Sequence, residues 1–200
     1  MAPIFRACIV ACIAVMPLAA QLFEEPSDIS IPLTPKEKAV RSLKLVPATA
    51  AGSLIGAGFS QLTGNPEEWG QGMKGYGKRF ASSFGQAEIV NTISLGMDAT
   101  LKTDPRYDRC KCSALSARLG HAVLRVGWTR RDEGGETVNI SAMAGYFGGA
   151  AIASQWRPDR QNTFGYMAGS AGTSMAITAG LNVVREFWPE IKKRVPFLNR

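Results

Sequence analysis

Three runs of this chain place small residues four apart: Gly52, Gly56, Ser60 and Gly64; then Gly145, Gly149 and Ala153; then Ala168, Gly172, Ala176 and Gly180. At 3.6 residues per turn this spacing keeps the small residues on one side of a helix and leaves that side smooth. Glycine inside a helix costs about 1 kcal/mol relative to alanine, so the pattern makes physical sense where two backbones approach closely. The expectation is therefore a set of mutually packed helices in which Gly52, Gly56, Gly64, Gly145, Gly149, Gly172 and Gly180 are packing positions.

Other signals complete the architecture. Thr34 precedes Pro35 and stands three residues before Glu37, which is capping-box register for a helix over "PKEKAVRSLKLV". In "VGWTRRDEGGETVNIS", Val126, Trp128, Val138 and Ile140 flank the turn residues Asp132, Glu133, Gly134 and Gly135, which predicts a short hairpin. No alternation of strands and helices builds a parallel sheet. The predicted fold is mainly α, a compact bundle of about four or five glycine-striped helices with one short β-hairpin, forming a single domain over residues 34–200.

Residues 1–20 read as an export signal, with the single charge Arg6, an apolar run and Leu18-Ala19-Ala20 before Gln21. An extended, proline-containing lead-in follows over residues 21–33. A lipid anchor at Cys12 fits poorly, because too little apolar chain precedes that cysteine. Lys and Arg total 23 against 16 acidic residues, so an exported chain of this kind meets anionic membrane or other envelope components, not nucleic acid. Residues 45–63, 139–156 and 163–184 lack charge but are rich in Gly, Ala, Ser and Thr, which makes them marginal as spans. The preferred expectation is a membrane-associated bundle in the periplasm or cell envelope, with membrane embedding as the alternative.

The stretch "GQGMKGYGKR" from Gly70 to Arg79 matches both G-x-G-x-x-G and G-x-x-x-x-G-K. Those patterns cradle phosphate only between a strand and a helix. Here Asn65, Pro66 and Glu68 predict that a helix has already begun, with Trp69, Met73, Tyr76, Phe80 and Phe84 on one face and Gly70, Gly77 and Ala81 beside them. Arg79 also stands where a phosphate loop needs a hydroxyl. Neither nucleotide nor any other cofactor is expected.

The segments "EEWGQGMKGYGKRF", "TDPRYDR" and "REFWPEIKKR", together with the T-R-x-D-x-G hairpin, resemble those of a family of uncharacterised exported bacterial proteins, from about Thr34 to Arg194. The resemblance implies export and one domain. It implies no activity, cofactor or catalytic residue. Ala142, the "SQWRP" stretch and the cysteine pair depart from that family's pattern.

Candidate chemistry is sparse. His121 is the only histidine and sits among apolar residues, so a structural role fits it better than that of a catalytic base. Asp98 and Glu186, each inside an apolar segment, are the best candidates for a paired-carboxylate hydrolase, although Arg106, Arg125 and Arg185 make ion pairing the simpler reading. Asp104, before Pro105, looks like a cap. Cys110 and Cys112 are a candidate disulfide, and no metal site is predicted. Lys78, Arg79, Arg106 and Arg130, with Trp69, Tyr76, Tyr107, Trp128 and Trp188, are the candidate binding surface for an anionic membrane. The functional expectation is a non-catalytic structural or interaction protein of the bacterial cell envelope, with a periplasmic hydrolase as the alternative.

Overall fold

The computed structural model describes residues 31–194. The expected signal peptide and most of the expected lead-in lie outside the described residues. Among the described residues there are five α-helices: α1 (Pro35–Leu62), α2 (Gly72–Leu101), α3 (Leu115–Leu124), α4 (Ile140–Ala153) and α5 (Phe164–Arg194). Three short strands, β1 (Thr103–Asp104), β2 (Trp128–Arg131) and β3 (Glu136–Val138), form an antiparallel sheet in the order β1-β2-β3. The mainly α bundle and the hairpin agree with expectation. Strand β1 is an addition: two residues pair Thr103 with Arg131 and Asp104 with Arg130, too short a run to show alternation.

Helix α1 starts as its capping signal predicts. Glu37 N–H donates to Thr34 Oγ1 at 3.3 Å, and Thr34 N–H donates to Glu37 Oε2 at 2.8 Å. Helix α2 packs against both α1 and α4, and α5 packs against α4 and α3. The core at that junction is small, built on Val126, Tyr146, Ala150 and Ala171 with Val90, Met143, Met167 and Met175 around it.

Only one of the three small-residue stripes is a helix contact. A Cβ at Gly145 would meet Ser94 Oγ and would lie 2.8 Å from the Val90 carbonyl oxygen, and one at Gly149 would meet Val90 Cγ2. These two glycines let α4 lie against α2. Gly52, Gly56, Gly172 and Gly180 have nothing within 4 Å of such a Cβ, which corrects the expectation that they are packing positions. The reason is topological: α1 is held by α2 while α5 is held by α4 and α3, so Gly52 and Gly56 border a groove and Gly172 and Gly180 face outward. Gly64 lies past the end of α1 at φ 66°, a left-handed turn position.

The glycine-rich stretch also differs from its predicted form. The helix does not begin at Asn65. A 3₁₀ turn over Glu67–Trp69 ends at Gly70 with φ 67°, and α2 starts at Gly72 with φ 80°. Two left-handed glycines turn the chain where a continuous helix cannot follow. Buried Arg79 holds this turn, donating from Nε to Asn65 O (3.0 Å), from Nη1 to Gly70 O (2.7 Å) and Gln61 Oε1 (2.6 Å), and from Nη2 to Pro66 O (2.7 Å). A Cβ at Gly75 would collide with Gly70 O, so that glycine lets the turn fold back onto α2. Trp69 is consequently off the α2 face, and Met73 is exposed, whereas Phe80 and Phe84 stack at 5.7 Å. No helix among the described residues is long and apolar enough to cross a membrane.

Candidate functional site

A groove of about 1050 Å³ runs between α1 and α5 over a floor made by α2 and α4. Its walls follow from helical spacing. Thr49, Gly52, Ser53 and Gly56 on α1 face Gly169, Ser170, Thr173 and Ser174 on α5, so small and hydroxylic residues leave space between the two helices. Most of these hydroxyls donate within their own helix: Thr49 to Leu45 O at 3.1 Å, Thr173 to Gly169 O at 2.9 Å and Ser174 to Ser170 O at 3.1 Å. Their remaining lone pairs are available to accept.

Arg157 lines one end of this groove. It lies between two 3₁₀ turns, Ser154–Trp156 and Asp159–Gln161, and reaches from there to α2 and α5. Its Nη2 donates to Gln86 Oε1 in a short contact, its Nη1 to Ser170 Oγ at 3.3 Å and its Nε to Ser82 Oγ at 3.5 Å. The guanidinium carbon sits 5.5 Å from the centre of the Tyr166 ring. Burial lowers the arginine's pKa from its ordinary value, with the Tyr166 hydroxyl opposing.

At the other end Asp104, Arg106 and Asp98 are held by partners within the protein. Asp104 takes Arg106 in a bidentate pair, with Nε at 3.0 Å from each carboxylate oxygen and Nη2 at 2.5 Å from Oδ2, and Arg106 Nη2 also donates to Ile31 O at 2.6 Å. Asp104 is therefore a salt-bridge partner on β1, as well as accepting from Arg106 N–H at 3.0 Å. Asp98 accepts from Thr103 Oγ1 at 2.6 Å. Burial raises the Asp98 pKa above the ordinary 3.8, while bonds from Thr103 and Ser141 and the charge of Lys38 oppose that rise.

The expected carboxylate pair is not a unit. Glu186 is wholly buried, accepting from the Tyr107 hydroxyl at 2.8 Å and Cys110 N–H at 3.0 Å on Oε2, and from Arg118 Nε at 3.0 Å on Oε1. It is absent from the groove lining, and none of the hydrogen bonds described links it to the network around Asp98. Its ion-pair partner is Arg118, not one of the three arginines proposed from sequence. His121 Nδ1 lies 3.8 Å from Glu186 Oε2 and 3.4 Å from the Tyr107 hydroxyl, at the edge of the same cluster. Cys110 and Cys112 are joined as a disulfide with Cα atoms 5.1 Å apart.

The structure divides the expected cationic and aromatic surface. Arg79, Arg106, Tyr107 and Trp188 are buried, which takes them off any docking face. The polar groups of Arg79, Arg106 and Tyr107 serve buried contacts, and this is why those residue types mislead: Arg and Tyr sit at the surface by default only when no internal acceptor competes. Lys78 is exposed, Trp69 and Tyr76 are half-buried, and Trp128 is exposed at the groove rim. Arg130 is half-buried with Nη1 3.2 Å from Asp108 Oδ2.

Two residues have roles that the sequence does not announce. Lys38 is buried with its Nζ on Thr103 O (2.8 Å), Asp98 O (3.3 Å) and Asp132 Oδ2 (2.6 Å), tying α1 to α2 and the hairpin turn. Arg157 has one available signal, being the first charge after Glu136 and standing at the end of the neutral run that contains α4. Among the described residues no group of His, Cys, Asp and Glu is placed to hold a metal ion. Comparison of the chain with family models, curated proteins and solved structures gives no significant match.

Proposed function

We propose that this chain is a non-catalytic interaction protein of the bacterial cell envelope that docks peripherally on anionic membrane surfaces through the α1–α2 hairpin. The observation that carries the reading is an exposed apolar row on α1. Ile55, Phe59 and Leu62, at i, i+4 and i+7, are 66%, 70% and 87% exposed, and Met73 at the start of α2 is 83% exposed. Isolated exposed apolar residues are ordinary, whereas a contiguous row suggests a surface that something covers. No charged residue occurs from 45 to 66, and exposed Lys74 and Lys78 stand on the first turns of α2. The Tyr76 hydroxyl donates to Leu54 O at 2.9 Å, which holds those turns beside this part of α1. Apolar side chains flanked by lysines suit the headgroup boundary of an anionic bilayer, each lysine adding roughly 1 kcal/mol near the surface.

Vesicle co-sedimentation tests this, using phosphatidylglycerol-containing and pure phosphatidylcholine vesicles with wild type, Phe59→Asp and Lys74→Ala/Lys78→Ala. All share residues 1–20, so differences between them report on the hairpin. Phe59→Asp should weaken binding by about tenfold or more. The double lysine variant should remove most of the preference for anionic vesicles and its salt sensitivity. Equal binding by all three proteins would reject the hairpin as the docking face.

A further inference from the structure

Four of the buried and half-buried arginines of this fold have partners that occupy them. Arg106 has Asp104, Arg118 has Glu186 and Arg125 has Glu136. Arg79 has no carboxylate, but backbone carbonyls and Gln61 close around it away from the groove. Arg157 differs from all of these. Among the described residues its bonds run only to neutral acceptors, Gln86, Ser170 and Ser82, while it lines an open groove.

A guanidinium has five N–H donors. Three contacts leave one N–H on each terminal nitrogen. Two such donors suit an oxyanion, which accepts two charge-assisted bonds at once. Gln86 Nε2 donates to Ser170 Oγ at 3.1 Å, and this link braces the two residues that hold the guanidinium. Beyond Arg157 the groove offers hydroxyl lone pairs, since Thr173 and Ser174 spend their protons on their own helix. A cation at one end and acceptors along the wall fit a small organic anion whose body carries hydrogen-bond donors.

We infer that the Arg157 end of the groove is a binding subsite for the carboxylate or phosphate of a small, hydroxyl-bearing ligand, with Gln86 and Ser170 positioning the guanidinium. The inference is independent of membrane docking, and its test uses no lipid. Glucose, glucuronate and glucose 6-phosphate serve as probes, sharing one body and differing in head group. Isothermal titration of the full chain at low ionic strength should show at least one charged probe binding about tenfold or more tighter than glucose. A gain for glucuronate alone assigns a carboxylate subsite, and one for glucose 6-phosphate alone assigns a phosphate subsite. Arg157→Gln should erase the gain and Arg157→Lys should restore only part of it.

Arg157 also braces the fold, so a second variant is needed. Gly169 lines the groove, and a Cβ placed there would have nothing within 4 Å, so Gly169→Leu should obstruct the groove while leaving Arg157 and the fold in place. It should weaken the charged probes as well. The subsite is refuted if neither charged probe binds better than glucose, or if the gain survives in a folded Arg157→Gln protein or in Gly169→Leu.

Discussion

The Tyr107 hydroxyl donates to Glu186 Oε2 at 2.8 Å, and this bond fastens the segment after β1 to the last third of α5. Arg118 Nε and Cys110 N–H complete the shell, so the fully buried carboxylate is satisfied from the segment after β1 and from α3. Burial, then the bond to Glu186 and its charge, push the Tyr107 pKa well above the ordinary 10.0. The folded protein therefore holds this proton more tightly than the unfolded chain does. Stability from Tyr107 is fully present below pH 10.0 and falls as pH rises above it. Tyr107→Phe should cost about 1.5 to 3 kcal/mol at pH 7, the range for a bond to a charged acceptor, and should flatten the alkaline fall. Urea unfolding of both proteins from pH 7 to pH 11 measures this, and parallel alkaline losses would contradict the assignment.

Asp98 has the opposite consequence at neutral pH. Its folded pKa is raised above 3.8, mainly by burial, so its contribution to stability is fully present below 3.8 and is lost as pH rises through the folded value. Asp98→Asn keeps an oxygen to accept from Thr103 and removes the buried charge. The variant should melt no lower than wild type at pH 7, and its relative stability should decline as pH falls toward 4. Thermal melts at three pH values decide the matter. A large loss at pH 7 would mean that the Asp98 charge itself stabilises the fold through Lys38.

Gly145 and Gly172 form a matched pair of tests. Both lie in helices and both belong to stripes of small residues spaced four apart. A Cβ at Gly145 meets Ser94 and the Val90 carbonyl, while one at Gly172 meets nothing within 4 Å. Gly145→Ala should destabilise by about 1 to 3 kcal/mol through forced separation of α2 and α4. Gly172→Ala should stabilise by up to about 1 kcal/mol through helix propensity. Calorimetric melting temperatures moving in opposite directions would support this division. A loss at Gly172 would show that its face is covered in solution.

The elements are legible where the signal is local. Thr34, Pro35 and Glu37 mark the start of α1 because a capping box involves only neighbouring residues. Asp132 to Gly135 mark the hairpin because its two left-handed positions, Gly134 and Gly135, need glycine. The turn at Gly70 is not legible in this way, although its glycines stand out. Asn65-Pro66 with Glu68 is a good local helix start, and the interaction that overrides it comes from Arg79, about three turns along the chain in α2.

What the sequence determined by itself was therefore the helical class, the hairpin, the capped start of α1 and the positions at which a small residue stands, but not strand β1 or the turn before α2. Spacing of 3.6 and the chemistry of caps and turns act within a few residues, so one chain suffices to reveal them. What only the tertiary structure decided was the use of each small or polar residue. The same spacing of small residues four apart is a helix contact at Gly145 and Gly149, a groove wall at Gly52 and Gly56, and an outward face at Gly172. Likewise Arg79, Arg118 and Arg157 are alike in sequence but meet carbonyls, a carboxylate and an open groove. Those outcomes depend on which helix lies opposite, and that is set by the summed packing of the whole bundle, a long-range quantity that no local spacing encodes.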